Sequence, residues 1–223
     1  MLGHVVRRAR QAQRIDLVVV ATSDQPADDV LARYCGEAGI PCFRGNEVDV
    51  LDRYYQTARH FRIDVIVRLT ADCPLLDPEV IDSVVGAFQV GDYDYVANIL
   101  DPSYPDGLDT EVFSLQSLER AWREAKWQSE REHVTAYIWN RPDQFRLGNV
   151  SHTRNLSHLR WTVDEPEDLE FVRRVYGHLR PQVTFGMADV LAVLAAYPDL
   201  ARLNAGIGRN EGYRNSIRGD RPV

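Results

Sequence analysis

Two carboxylates far apart in the chain, Asp72 and Asp164, head the residues that could do chemistry. Each follows a short run rich in apolar, β-branched residues: Asp64-Val65-Ile66-Val67-Arg68-Leu69 leads to Thr70-Ala71-Asp72, and Leu159 to Val163 leads to Asp164. Such runs read as buried strands, and in open α/β sheets ligands bind at the carboxyl ends of the strands. Two strand-end carboxylates with a polar strand end between them suit Mg²⁺. That ion takes one or two protein carboxylates, keeps several waters and completes its shell with substrate phosphate. The same pair also has a structural reading. Asp72 would steady the turn before Pro74, and Asp164 would cap a helix beginning at Pro166, since Asp is a favoured cap. On spacing alone the two readings stand even.

Other groups share this ambiguity. Thr22-Ser23-Asp24 and Arg44-Gly45 end two further strand-like runs, as ligand-facing residues or as a turn and a surface arginine. Asp106-Gly107-Leu108-Asp109 is by composition a turn. Ser129-Glu130-Arg131-Glu132-His133 has the spacing of a capping box, Ser at the cap and Glu132 three residues on. Physics alone makes His133 a packed or surface histidine. Lys126 is the only lysine, so no P-loop with its lysine is present. Phosphate would have to be met by arginine, backbone N–H groups or metal.

The elements that must position these residues follow from periodicity. Residues 2–14 have helical spacing, with Leu2, Val5, Val6, Ala9 and Ala12 on one face and Arg7, Arg8, Arg10 and Arg14 on a solvated one. Strands are expected at 17–21, 40–43, 64–69, 93–99, 110–113, 145–150 and 159–163. Helices are expected from Pro26 to about 38, 48–61, Asp77-Pro78 to about 88, 115–126, 130–140, Pro166 to about 179, and 186–197. Asp77 before Pro78 is a cap followed by a first-position proline. The alternation predicts an α/β domain with a mainly parallel sheet flanked by helices. One domain is expected over 1–205, with a Gly/Arg/Asn-rich, loosely ordered tail at 206–223.

Composition excludes several classes. At 223 residues the chain can bury about 70% of its unfolded surface without disulfides or structural metal. A net charge of −7 argues against bulk nucleic-acid binding. The longest apolar run, Val190 to Tyr197, falls far short of the roughly 20 residues that span a bilayer. Cys35, Cys42 and Cys73 are odd in number and lack C-x-x-C spacing, which favours a reducing, cytoplasmic setting.

Taken in order, several segments resemble one family. They are Val19-Val20-Ala21-Thr22-Ser23-Asp24, Phe43-Arg44-Gly45, Asp49-Val50-Leu51-Asp52-Arg53-Tyr54, Arg68-Leu69-Thr70-Ala71-Asp72-Cys73-Pro74-Leu75 and Tyr104-Pro105-Asp106-Gly107-Leu108-Asp109. Ser129 to Thr135, Arg160-Trp161-Thr162-Val163-Asp164 and Asn210-Glu211-Gly212-Tyr213 complete the set. Together they are similar to the cytidylyltransferases, the family of CMP-Kdo and acylneuraminate synthetases, and within it to the spore coat polysaccharide biosynthesis protein F-like members. The resemblance implies a Rossmann-like (GT-A-like) nucleotidyltransferase fold. It implies a reaction in which a sugar oxygen attacks the α-phosphate of CTP and pyrophosphate leaves, giving a CMP-sugar from a sugar or acidic sugar for surface polysaccharide. It places Mg²⁺ on Asp72 and Asp164, the catalytic pair, and nucleotide near Thr22, Ser23, Asp24, Arg44 and Gly45. It places Asp106, Gly107, Asp109, Glu111, Glu130, Arg131, Glu132 and His133 facing the sugar or the partner in a homodimer.

The chain also departs from the family pattern. Members begin with a strand and a phosphate-wrapping loop, and here Met1 to Val5 align with the helix after that loop. The expectation is therefore a sheet lacking its first strand, with an unfilled slot between its halves. Three accounts were weighed: a start codon placed within a complete gene, a truncated gene, and a catalytically impaired binding or interaction protein of the same fold. A nucleotide-sugar glycosyltransferase ranks below these, because the D-x-D at Asp92-Tyr93-Asp94 sits at a strand start.

Overall fold

The computed structural model of the chain describes residues 1–182, 184–209 and 211–223. The chain opens on a helix, α1 (Leu2–Ala9), and continues as β1 (Val20–Ser23), α2 (Asp29–Glu37), β2 (Cys42–Gly45), α3 (Val50–Phe61), β3 (Val65–Arg68), α4 (Pro78–Val90) and β4 (Tyr95–Ala97). Then come β5 (Glu111–Ser114), α5 (Leu115–Glu124), α6 (Gln128–Glu132), α7 (Ala136–Trp139), β6 (Leu147–Asn149), α8 (Pro166–Leu179), α9 (Met187–Ala196) and α10 (Glu211–Arg218). Local chemistry sets several of these starts. Asp77 accepts from the N–H of Glu79 (2.7 Å) and Val80 (3.3 Å) ahead of Pro78, and Asp49 accepts from Asp52 N–H at 2.9 Å.

The sheet is in two pieces, as the expected slot requires. β1 and β2 pair in parallel, Val20 opposite Cys42 and Ser23 opposite Gly45. The other piece runs β3-β5-β4-β6. It is mixed rather than mainly parallel: β5 returns from a long loop antiparallel to both β3 and β4, and β6 lies parallel to β4. Among the described residues no backbone hydrogen bond joins β1 to β3.

Helices hold the pieces together. On α1, Val6 packs with Cys35 and Ile40 over β1 and β2, and Val5 packs with Cys73 and Leu76. Just beyond α1, Ala12 joins Ile81, Val84, Val96 and Val112. On α3, Leu51, Tyr55 and Ala58 pack with Ile66, Tyr95 and Phe113, while the helix also touches β1 and β2. A second cluster, built on Trp161, Leu108 and Phe171, unites α8, α9 and the 104–108 loop.

Four sequence expectations need correction. The first helix stops at Ala9, and Arg8 is buried rather than solvated. Its guanidinium donates to the carbonyls of Leu76 and Phe185 and lies 3.9 Å above the Phe185 ring. The expected helix at 130–140 is two, broken at Val134, whose φ of +55° no helix admits. The cap there is not Ser129: Glu130 accepts from the N–H of Lys126 (3.1 Å) and Trp127 (3.3 Å), and Ser129 pairs with Asp220. The run 159–163 forms no strand, only a bridge between Asp106 and Arg160. The tail, expected to be loosely ordered, carries α10. The segment after it is held by Gln128 N–H on Arg221 O and Val223 N–H on Lys126 O, both 2.8 Å. Asn210 of the Asn210–Tyr213 motif lies outside the described residues.

The open edge generates a contrast. Val65 on β3 is 44% exposed and Val112 on β5 is fully buried. Val65→Lys is expected to cost no more than about 0.5 kcal/mol, as at other exposed positions, and to reduce self-association, because a lysine blunts an exposed edge. Val112→Lys is expected to prevent folding. Urea unfolding and light scattering of both variants check this.

Candidate functional site

Three loops converge where strands end. The segment after β3 carries Thr70 to Pro74, the loop before β5 carries Tyr104 to Thr110, and the stretch before α8 carries Leu159 to Asp164. They are laced by backbone bonds: Asp106 N–H to Leu159 O at 2.9 Å, Trp161 N–H to Asp106 O at 2.6 Å and Val163 N–H to Asp72 O at 2.9 Å. Gly107 permits the approach. Its φ is +106°, and a Cβ there would sit 2.6 Å from Thr162 N and Trp161 C. No other side chain fits, because glycine alone enters this region without a clash.

The lacing bonds the Asp72 carbonyl to Val163, the residue before Asp164. Asp164 is half exposed and gives one oxygen to Arg160 Nη2 at 2.6 Å. Among the described residues the Asp72 carboxylate has one hydrogen-bond partner, the Cys73 thiol at 3.3 Å. Both therefore keep hard carboxylate oxygens free, the donor type Mg²⁺ prefers. Among the described residues no third His, Cys, Asp or Glu completes a metal cluster. A cation held by this pair must complete its shell with water and ligand oxygens, which is how Mg²⁺ is usually bound. The residues fit the ion.

Behind the pair sits a buried ion cluster that sequence reasoning missed. Asp168 is fully buried. It accepts from Arg160 Nε (3.0 Å) and Nη2 (2.9 Å), Asn204 Nδ2 (2.8 Å), and the N–H of Asp164 (3.1 Å) and Glu165 (3.0 Å). Burial pushes its carboxyl up, but these donors outweigh burial and hold it below the usual range. Asp106, also paired to Arg160, is raised by burial despite Arg209 and Arg160. The signal for Asp168 was present in the sequence: three residues into a helix begun by Glu165-Pro166, it is the reciprocal partner of a capping box.

On the remaining side lie Asp109 and Glu111. Asp109 pairs with Arg209 Nη2 at 2.5 Å, and Arg209 Nη1 also donates to Tyr104 O at 3.1 Å. Burial nonetheless lifts Asp109 to about 7, with Asp106 and Glu111 adding to the rise. Glu111 takes Arg68, the Tyr95 hydroxyl (2.7 Å) and the Thr135 hydroxyl (2.5 Å). Arg209 was missed because nothing local ties a polar tail to a loop a hundred residues earlier.

The other candidates are placed differently. Thr22 and Ser23 give their hydroxyls to Asp28 at 2.7 and 2.6 Å. Asp24 N–H donates to Gly45 O at 2.8 Å. Arg44 donates to Ser23 O and Gln25 O and pairs with Asp29 at 2.7 Å. These residues share the tips of β1 and β2 but bind one another. Glu130 pairs with Arg141 at 2.7 Å, and Arg131 grips Asp49, the cap of α3. They brace helices and are not gathered with Asp72. Glu132 and His133 meet Ser216 of α10 at 3.0 Å each. Burial lowers the His133 pKa, so it is neutral at pH 7, and the edge of Tyr213 covers it.

Comparison with known proteins fits this geometry. A cytidylyltransferase family model matches residues 1–185. The spore coat polysaccharide biosynthesis protein SpsF of Bacillus subtilis is 33% identical over 207 residues, covering 90% of this chain and 84% of that protein. A 3-deoxy-manno-octulosonate cytidylyltransferase of Anaeromyxobacter dehalogenans is 37% identical over 94 residues, 41% of this chain and 37% of that protein. Among solved structures, a cytidylyltransferase from Leptospira borgpetersenii superposes with a TM-score of 0.84 at 29% identity, covering 90% of this chain and 84% of that one.

Two measurements follow. Asp168→Ala takes the acceptor from Arg160 Nε and Asn204 Nδ2, leaving Arg160 with Asp106 and Asp164, and is expected to cost about 3 kcal/mol, the low end for breaking a buried pair, read by denaturant unfolding. Asp109 titrates higher folded than unfolded, so its protonation favours the fold below about pH 4 and that contribution is lost as pH rises to about 7. The melting temperature of the Asp109→Asn variant is expected to gain on the parent between pH 5 and 8.

Proposed function

We infer the reaction from one premise: this chain belongs to the cytidylyltransferase family. It transfers a cytidylyl group from CTP to a sugar. A sugar oxygen attacks the α-phosphorus, the bond to the bridging oxygen of the β-phosphate breaks, and pyrophosphate departs. The observation that supports this reading is the Val163 N–H to Asp72 O bond, which draws the backbone of Asp72 beside the residue before Asp164, whose second carboxylate oxygen is left open by its pairing with Arg160. Mg²⁺ bound there would neutralise phosphate charge and steady the leaving group.

The residues of this chain supply placement. Asp72 and Asp164 fix where the phosphates lie. Gly107 and the Asp106–Trp161 bonds hold the acceptor loop against that position. Thr22, Ser23, Asp24, Arg44 and Gly45 shape the nucleotide side through the backbone they hold, since their side chains bind within the protein. We place the protein in the cytoplasm as a homodimer that serves surface polysaccharide synthesis. Among the described residues no helix is long and apolar enough to cross a membrane.

A second reading is a non-catalytic binding protein of the same fold. The split sheet and the internally bonded Arg44 favour it. One experiment separates the two. The chain is incubated with CTP, Mg²⁺ and candidate sugars, and pyrophosphate is measured beside CTP binding. The enzyme reading expects release that falls at least a hundredfold in Asp72→Asn and in Asp164→Asn with folding intact. CTP binding without release supports the second reading, and wild-type rates in either variant remove the metal assignment.

A further inference from the structure

Between α1 and the end of α8 lies a cavity that the proposed reaction does not use. Its volume is about 180 Å³, and its polar wall is Arg7, Arg8 and His4 of α1 with Arg180 and Gln182 just past α8. The rings of Tyr176 and Phe185 complete it. Among the described residues no carboxylate lines this space, and Arg7 and Arg180, both exposed, form no ion pair.

Arg8 shows what the cavity lacks. The residue is 3% exposed, yet its Nε and Nη2 go only to neutral carbonyls, those of Leu76 and, at 2.8 Å, Phe185. Among the described residues its Nη1 has no hydrogen-bond partner. The carboxylates that bear on it are Asp77 and Asp189, and both are spent at helix starts. Asp77 accepts from the N–H of Glu79, Val80 and Met187, and Asp189 from that of Gly186. A buried charge without a counter-charge is costly. The same surplus reaches His4, where burial, and after it positive charges that include Arg7 and Arg8, hold the imidazole below its usual pKa.

Size and geometry say which counter-ion fits. The space has room for about six waters at roughly 30 Å³ each, well below the roughly 300–1,000 Å³ of pockets for larger ligands. One guanidinium fork satisfies the two coplanar oxygens of a carboxylate. Three guanidinium groups around one space call for an anion with more oxygens, pointing in more directions, which phosphate supplies.

We propose that this cavity binds a small phosphate-class oxyanion, inorganic phosphate or pyrophosphate, gripped by Arg7, Arg8 and Arg180. Neither Asp72 nor Asp164 lines it. It is joined to the segment after Asp72, since the Tyr176 hydroxyl donates to Pro74 O at 2.7 Å and Arg8 donates to Leu76 O.

Phosphate and pyrophosphate are each titrated into the whole chain by calorimetry, without Mg²⁺ and at constant ionic strength, with acetate as the carboxylate control. One saturable site is expected, and the tighter of the two phosphates names the source. Acetate is expected to bind at least tenfold more weakly. Arg7→Gln combined with Arg180→Gln is expected to weaken binding at least tenfold. The single variants, about threefold each, serve should the double one fail to fold. Arg44→Gln, at the tips of β1 and β2, is expected to leave the affinity unchanged. No saturable binding of either phosphate, acetate bound as tightly, or full affinity in the folded Arg7 and Arg180 variants overturns the proposal. So does lost affinity in Arg44→Gln, which would put the anion on the nucleotide side instead.

Discussion

The buried guanidinium of Arg160 ties together three parts of the chain that lie far apart in sequence. Its donors reach Asp168 at the start of α8, Asp164 at the mouth of the site, Asp106 in the acceptor loop and, at 3.4 Å, the carbonyl of Gly208 in the C-terminal segment. Burying such a charge is favourable only when its donors are matched, and here the matching partners are also what orders the loops. Asn204 adds to the same cluster, bonding both Asp168 and Arg160 O. The site is thereby placed on a rigid base, with its free carboxylates at the rim and the satisfied ones inside. An oxygen-binding cation needs ligands fixed in position, and Arg160 fixes Asp164 through one oxygen while leaving the other open.

The second constraint is the sheet in two pieces. Strands without a shared ladder have no direct register, so β1 and β3 are aligned by α1 and α3, whose apolar faces touch both pieces. Arg8 has the same role at another point, since its guanidinium bridges Leu76 O and Phe185 O and covers an aromatic ring. Val18, Val19 and Val20 are half-buried and Val65 is exposed. Their β-branched character explains why they read as central strands in the sequence although they lie along an edge here.

Local signals were legible in the sequence and pairwise ones were not. Asp77-Pro78 and the amphipathic spacing of α3 involve residues within a few positions, and they gave elements close to those observed. The candidate carboxylates were found because strand ends carry ligands, yet their adjacency depends on the Val163–Asp72 bond, which no local pattern encodes. The error at 159–163 has the same origin. The run has strand composition, but the Asp106–Gly107 turn docks on it so closely that only one bridge forms. Arg8 shows the limit of periodicity. It places the arginine on the polar face of a helix but cannot know that two carbonyls and a phenyl ring wait above it. The break at Val134 was invisible because its driving force, the Thr135 hydroxyl on buried Glu111, comes from a strand more than twenty residues earlier.

The distribution of charge links these features. The protein carries an excess of acid, −7 overall, and Arg68, Arg160 and Arg209 are each paired with carboxylates. A nucleoside triphosphate brings further negative charge to the same place. At the tips of β1 and β2, Arg44 gives its donors to Ser23 O, Gln25 O and Asp29, and Arg53 donates to Asn46 O. On the proposed function, side chains here would orient a nucleotide more than neutralise it, and the cation proposed at Asp72 and Asp164 would supply the neutralising charge.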